Sequence, residues 1–367
     1  MLLTKIFFSI IIFFCMHLNS TQMIKISIGI EKKQAIISGS NLLLKIGNER
    51  ISTSANQLTL EAGKYGIVFN KKTLNSMRTT ISSNNLIYYN NRAYHRKIEI
   101  IWNKINKKSH LLIIHHLPLE DYVLGTVASE MPTSWPLEAL KAQSIAARTY
   151  ALEKKYKSLH KLYHMESTVL HQVYSGIKNI NKKVNKAVKE TKGKVIVFKN
   201  ILIQAMFHST CGGKTENSCD VWGGNLPYLI SVDCIYCKLS NTYKWNRKFS
   251  TLKTNYALRG MVDQIKHIYI LKKSKAGRTK KIKIKGYKKT KIITANQFRG
   301  RLGFSNMPST WFSSLIFKYN KLYIKGRGFG HGVGLCQWGA CGMAKANYKA
   351  KQIITHYYPG TEIRKMY

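Results

Sequence analysis

The stretch from Leu117 to Leu152, LPLEDYVLGTVASEMPTSWPLEALKAQSIAARTYAL, constrains this chain more than any other segment. Pro118 suits the first position of a helix, which puts Glu120 and Asp121 in the first turn, where the helix dipole favours anions. Pro132 should stop that helix near Glu130. Pro136 then opens a second helix, with Glu138 early and Ala at 139, 142, 146, 147 and 151. Alanine this dense predicts a helix packed closely on several sides, with helical character as far as about Leu159.

Acids are scarce. The 367 residues hold 16 Asp and Glu against 60 Lys and Arg, a net charge of +44. A carboxylate at the break between two helices therefore stands out, and that carboxylate is Glu130. At a helix C-terminus the negative end of the dipole disfavours its ionised form. Val127, Met131 and Trp135 add apolar surroundings, so its pKa is expected to rise. A raised carboxyl pKa is what a general acid needs, and sugar cleavage can run on one well-placed carboxylic acid. The plainer alternative is a Glu that caps or solvates a helix end, and local sequence balances the two. On the second helix Lys141, Ser144 and Arg148 share one face. They can orient Glu130, hold substrate hydroxyl, amide or carboxylate groups, or form a solvated edge.

The charge balance admits two readings. One is a Lys-, Ile- and Asn-rich coding bias; the other is a polyanionic partner. Bias together with an anionic envelope surface is preferred to nucleic acid. Sequence-reading proteins lean on Arg forks, and no specific nucleic-acid motif is found. The first residues, MLLTKIFFSIIIFFCMHLNS, carry one Lys and an apolar run from Ile6 to Met16. That run has the length of a signal-peptide core and is short for a membrane span. Export is expected, with an uncleaved anchor as the alternative.

From about Thr21 to His110 short apolar runs (IKISIGI, QAIISGS, NLLLKIG, GKYGIVF, KIEIIW) alternate with Gly, Asn and Ser, the pattern of a small β domain. Strands and turns return from Leu170 to Val232. Residues 244–325 are Lys-rich, and the alternation in KIKIKGY indicates an exposed strand or hairpin, more a solvated Lys face than a dedicated site. The C-terminal GRGFGHGVGLCQWGA begins as a Gly-rich loop and becomes helical near Ala340.

Two further constellations carry chemistry. His208-x-x-Cys211 and Cys234-x-x-Cys237 have the spacing of a closed, structural Cys₃His zinc site. A disulfide is the alternative, and Cys219 between the pairs fits either scheme. The Gly-rich run lacks the Lys-Ser/Thr of a phosphate loop, so its glycines are expected to admit a ligand or another segment closely. His331 lies inside it, and Gln337 and Trp338 follow as a polar residue beside an aromatic, which suits sugar binding. His331 as a structural turn residue is the alternative. Gln172 and Tyr174 in HQVYSG read as ordinary strand alternation unless they face Glu130.

In this order, the blocks LPLEDYVLGTVASEMPTSWPLEALKAQSIAARTYAL, HQVYSG, FHSTCGGKTE, DVWGGNLPYL, GRGFGHGVGLCQWGA and HYYPGT resemble the stage II sporulation protein D (SpoIID) and amidase-enhancer family, over about residues 95–362. The β-rich segment before them looks like the family's N-terminal extension. The resemblance implies a lytic transglycosylase acting on peptidoglycan glycan strands, with Glu130 of the S-E-M-P element as catalytic acid then base. The family's helix with K-A-Q and A-A-R-T-Y matches Lys141, Gln143, Arg148 and Tyr150, and the Lys and Arg of that stripe are expected to hold the lactyl carboxylate or stabilise transition-state charge. Some members are similar to this chain in carrying a His/Cys metal site. Two departures stand out: Cys336 where Ser is expected, and MESTVLHQ where an Asp is expected before HQVYSG.

The chain is thus expected to be an exported α+β protein of the cell envelope: a leader or anchor over 1–20, a β-rich domain over 21–110 and a catalytic domain over 111–367. The expected substrate-binding residues are Lys141, Gln143, Arg148, Gln172, Tyr174, His331 and Gln337. The expected zinc ligands are His208, Cys211, Cys234 and Cys237. The rival readings are a non-catalytic wall binder that stimulates a cell-wall amidase, and a hydrolytic muramidase.

Overall fold

A computed structural model describes residues 21–168, 172–177 and 179–367. The expected leader, residues 1–20, and His171 of HQVYSG lie outside the described residues. The fold is α+β.

The N-terminal strands are β1 (Met23–Glu31), β2 (Gln34–Gly39), β3 (Leu42–Ile46), β4 (Glu49–Thr53), β5 (Gln57–Ala62), β6 (Ile67–Phe69), β7 (Lys72–Thr73), β8 (Arg78–Tyr89), β9 (Arg92–Ile105) and β10 (Lys108–Pro118). Their pairing order is β1-β10-β9-β8-β2-β5-β6-β7, with β3 and β4 attached to β8. Asparagine sets several hairpins. Asn90-Asn91 and Asn106-Lys107 both take positive φ between register partners Tyr89↔Arg92 and Ile105↔Lys108. Two successive left-handed residues give a turn whose twist matches the flanking strands. β10 is apolar without alternation because both faces are covered. Leu111 and Ile113 join the main core, whereas Leu112 and Ile114 pack with Ile101, Leu162 and Tyr163.

α1 (Leu119–Glu130) follows β10 directly, with Pro118 as its N-cap, and ends where Met131 becomes extended. α2 (Leu137–Lys157) starts behind Pro136, and every residue from Ala139 to Glu153 except Lys141 is buried. The small side chains let neighbours approach from several directions, as their density predicted. Next come β11 (Met165–Glu166), parallel to β1, then α3 (Lys182–Glu190), β12 (Lys194–Phe198) and β13 (Ile201–Leu202). One apolar core joins sheet and helices, from Ile24 and Ile113 to Val127, Leu140, Ile353 and Tyr357.

The rest of the chain runs through β14 (Phe207–His208), α4 (Ser218–Trp222), β15 (Lys244–Ser250), α5 (Thr251–Ala257), β16 (Ile265–Lys273), β17 (Thr279–Gly286), β18 (Thr290–Thr294), α6 (Ala295–Leu302), β19 (Trp311–Lys318), β20 (Lys321–Arg327), β21 (Leu335–Cys336), α7 (Gln337–Lys345), α8 (Ala350–Tyr357) and β22 (Glu362–Lys365). β15, β20 and β19 form one antiparallel sheet; β16, β17 and β18 form another. Both close over a second core that includes Trp245, Ile282, Ile284, Phe298, Phe312 and Ile324. KIKIKGY is therefore a central, half-buried strand, with its isoleucines inward and its lysines outward. Among the described residues no helix is long and apolar enough to cross a membrane.

Candidate active site and cysteine cluster

Glu130 is the last residue of α1 and is half-buried. Its Oε1 accepts the Val173 backbone N–H at 2.7 Å, and its Oε2 accepts from Gln337 Nε2 at 3.2 Å. Burial raises its pKa above the ordinary carboxylate value, and the two donors offset part of that rise. Desolvation is thus the largest cause of the shift. An open groove of about 510 Å³ lies beside this helix end, lined by Ala128, Met131, Pro132, Thr133, Ser134 and the 179–181 segment.

The segment that supplies the Val173 donor is itself fixed in place. Gln172 and Tyr174 flank Val173 and are themselves anchored. Tyr122 Oη donates to Gln172 Oε1 at 2.8 Å, and Tyr174 Oη lies 3.1 Å from His115 Nδ1. Burial pushes His115 down to about 4, so its ring is neutral. Gly125 lets this segment seat on α1: a Cβ there would stand 2.6 Å from the Gly176 carbonyl oxygen and 2.7 Å from the Tyr174 ring. On the other side Trp135 and Trp338 meet edge to face at 4.8 Å, each a few residues from the Glu130–Gln337 contact.

Of the expected substrate-binding residues, Gln337 reaches Glu130 directly, and Gln172 and Tyr174 brace its backbone donor. Gln143 is fully buried, and neither of its amide atoms has a partner among the described residues. Lys141 and Arg148 are committed elsewhere. Lys141 Nζ pairs with Glu138 at 2.8 Å and Glu190 at 2.6 Å. The buried Arg148 guanidinium forks onto Glu120 at 2.8 and 2.7 Å and also donates to the Lys194 carbonyl. Their stripe faces the acids at the starts of α1 and α2 and at the end of α3, so these two cations tie helices together. Both ring nitrogens of His331 bond backbone: Nε2 lies 2.9 Å from the Phe207 carbonyl, and Nδ1 accepts the Val333 N–H at 3.1 Å.

The cysteine cluster differs from the expected ligand set in one member. The Sγ atoms of Cys211, Cys234, Cys237 and Cys336 all lie within 4.8 Å of one another, and all four residues are buried. Four such sulfurs can bind a metal ion. Cys211 and Cys237 are 3.5 Å apart, too far for a disulfide bond. His208 stands outside the group. Its Nδ1 lies 3.1 Å from the Val333 carbonyl and its ring faces His331 at 5.4 Å. The reason is local geometry. His208 sits in β14 and Thr210 in an isolated bridge to Phe329, and the His208 ring is directed to the Val333 carbonyl and His331, away from the four sulfurs. Cys336 enters because β21 pairs in parallel with β14. It also caps α7, accepting N–H groups from Gly339 at 3.3 Å and Cys211 at 3.2 Å. Hydrogen bonds from its three neighbours hold the Cys237 thiol far below the ordinary value, whereas burial pushes Cys211 and Cys336 up. Cys219 is exposed and Cys341 is buried outside the cluster.

The Gly-rich loop serves a neighbouring segment. Gly328, Gly330, Gly332 and Gly334 all have positive φ, and a Cβ on Gly334 would stand 2.1 Å from the Met206 carbonyl oxygen. This close approach delivers β21, and with it Cys336 and Gln337.

Residues 107–198 match the stage II sporulation protein (SpoIID) family, and residues 228–334 match a domain family of unknown function. The chain is 33% identical to an uncharacterized protein of Brachyspira hyodysenteriae over 88% of this chain and 84% of that one. It is 32% identical to stage II sporulation protein D of Bacillus subtilis over 68% of this chain and 75% of the relative. Similarity to the amidase enhancer of Bacillus subtilis, at 32% identity, covers 65% of this chain and 40% of that longer protein.

Proposed function

The chain belongs to the stage II sporulation protein D family, whose function is related to the cell wall, and from that premise we propose that it is a peptidoglycan lytic transglycosylase with Glu130 as its acid and base. The observation that carries this reading is the half-buried carboxyl of Glu130, raised in pKa by burial and held by two neutral donors, Val173 and Gln337.

The chemistry needs one carboxyl used twice. Protonated Glu130 gives its proton to the oxygen bridging N-acetylmuramic acid and N-acetylglucosamine as the bond from C1 to that oxygen breaks. The resulting carboxylate takes the proton of the muramic 6-hydroxyl, whose oxygen bonds to C1 and closes the 1,6-anhydro ring. Water is neither consumed nor released, so the second carboxylate of a hydrolase is unnecessary. Val173 and Gln337 fix the carboxyl. Rotation of the Gln337 amide lets it donate to the carboxylate or accept from the acid. Trp135 and Trp338 offer apolar faces for sugar rings.

The cysteine cluster fits zinc. A tetrahedral Zn²⁺ with sulfurs about 2.3 Å away sets them roughly 3.8 Å apart, within the span of these four. With no open ligand position the ion would be structural, holding Cys336 and thereby the start of α7. The protein would act outside the cytoplasm, at the envelope where its glycan substrate lies.

The resemblance to an amidase enhancer supports a second reading, a wall binder that stimulates an amidase. Counting glycan ends separates them. After digestion of purified strands, with and without stem peptides, a transglycosylase creates ends that borohydride does not reduce, and Glu130→Gln creates none. Stimulation of an amidase that survives Glu130→Gln, with no new ends from the unaltered protein, would favour the wall binder.

A further inference from the structure

Positive charge is not spread evenly along this chain. Residues 228–334 hold 24 Lys and Arg but only two acids, Asp233 and Asp263. Asp233 pairs with Lys214, and the Asp263 carboxylate accepts the backbone N–H groups of Lys288 and Lys289, so one carboxylate at the β17–β18 turn stands against the many lysines of the sheet. A uniform coding bias would leave the acids distributed as well.

The pleat of β16, β17 and β18 collects this charge on one face. Ile282 and Ile284 point into the second core, so Lys281, Lys283 and Lys285 point outward along the central strand. Register places Tyr269 beside Lys283 and His267 beside Lys285 on one flank, and Ile292 beside Lys283 on the other. Lys266, Lys272, Lys273, Lys288, Lys289 and Lys291 extend the positive field, and all are exposed. The face is not purely ionic. Tyr269 (48% exposed), Leu271 (50%), Tyr287 (68%) and Ile292 (49%) stand among the lysines.

We infer that the outward face of the β16–β17–β18 sheet is a docking surface for an anionic lipid bilayer. A dissolved polyanion needs cations only, and sequence readers of nucleic acid use Arg forks. Nearby Arg278 and Arg299 are buried away from this face. Lysines that reach outward, tyrosines at headgroup depth and short aliphatic side chains between them match a bilayer interface. The inference goes beyond the proposed function and is independent of the chemistry at Glu130.

The test is flotation of the full chain with phosphatidylcholine vesicles, with and without added phosphatidylglycerol. Capture by neutral vesicles reads the apolar run Ile6–Met16, so the increment on adding phosphatidylglycerol is the measured quantity. Lys281→Gln/Lys283→Gln/Lys285→Gln should lower that increment at least about tenfold and leave thermal unfolding unchanged. Leu271→Ser/Ile292→Ser should lower it as well. An undiminished increment in the triple variant would overturn the proposal. So would an unaffected Leu271→Ser/Ile292→Ser variant whose capture is abolished by soluble polyphosphate, since that marks a binder of charge alone.

Discussion

Gln337 donates to Glu130 at 3.2 Å, and the residue before it, Cys336, belongs to the four-cysteine cluster. The acid and the cluster are therefore joined by one peptide bond and one hydrogen bond, although 207 residues of chain separate Glu130 from Gln337. Whatever loosens the cluster should be felt at Glu130.

Replacing Gln337 should change the pH profile in a defined direction. Its N–H favours the ionised carboxylate and so lowers the Glu130 pKa against the larger upward push of burial. Transfer to the bridging oxygen needs protonated Glu130, so kcat/KM falls as pH rises through that pKa. Gln337→Met removes the lowering partner, which should move the alkaline limb to higher pH. It should also cut kcat roughly tenfold through lost positioning. An unmoved limb in kcat/KM against pH would detach Gln337 from Glu130.

The same raised pKa sets a stability window. Folded Glu130 holds its proton to higher pH than the unfolded chain, so stability falls as pH rises from the unfolded carboxyl value through the folded one. Glu130→Gln removes that loss. The variant should be more stable than the parent at neutral pH by about 1 kcal/mol, with no gain below the unfolded value. Denaturant melts at acid and neutral pH read the difference.

Metal content should separate Cys336 from His208. Cys336→Ala removes one of four sulfurs and should abolish stoichiometric metal after dialysis, lowering activity as α7 loosens. His208→Ala should retain one ion per chain by elemental analysis, because its ring lies outside the cluster. Loss of the ion in His208→Ala with retention in Cys336→Ala would restore the ligand set expected from spacing.

Arg148 and Lys141 should prove structural to different degrees. Arg148→Ala leaves Glu120 without its buried fork and should cost about 3 kcal/mol, whereas the more accessible Lys141→Ala should cost about 1 kcal/mol or less. Neither should move the pH profile of the folded enzyme, which kinetics at permissive temperature would check.

The legible parts of this site were local. Pro132 and Pro136 mark the break that leaves Glu130 at a helix end, and alternation in KIKIKGY marks a strand with one apolar face. Gln337 drew notice by chemistry, as an amide beside an aromatic. The missed parts were long-range or carried by backbone. Nothing near Cys336 announces that a parallel strand pair brings it to Cys211, 125 residues away. The Val173 N–H has no side-chain signature. The spacing of His208 and Cys211 does not show that the His208 ring bonds toward Val333 and His331 while Cys336 takes the fourth place. The Lys141 and Arg148 stripe was seen as a face, but which acids it meets depends on the packing of α1, α2 and α3.

The most direct measurement is mass spectrometry of glycan strands, with and without stem peptides, after incubation with the metal-loaded protein and with its Glu130→Gln variant. The account predicts products ending in 1,6-anhydro-N-acetylmuramic acid, each lighter by one water than a hydrolysed fragment, and none from the variant. Water-added ends, or equal cleavage by Glu130→Gln, would contradict it.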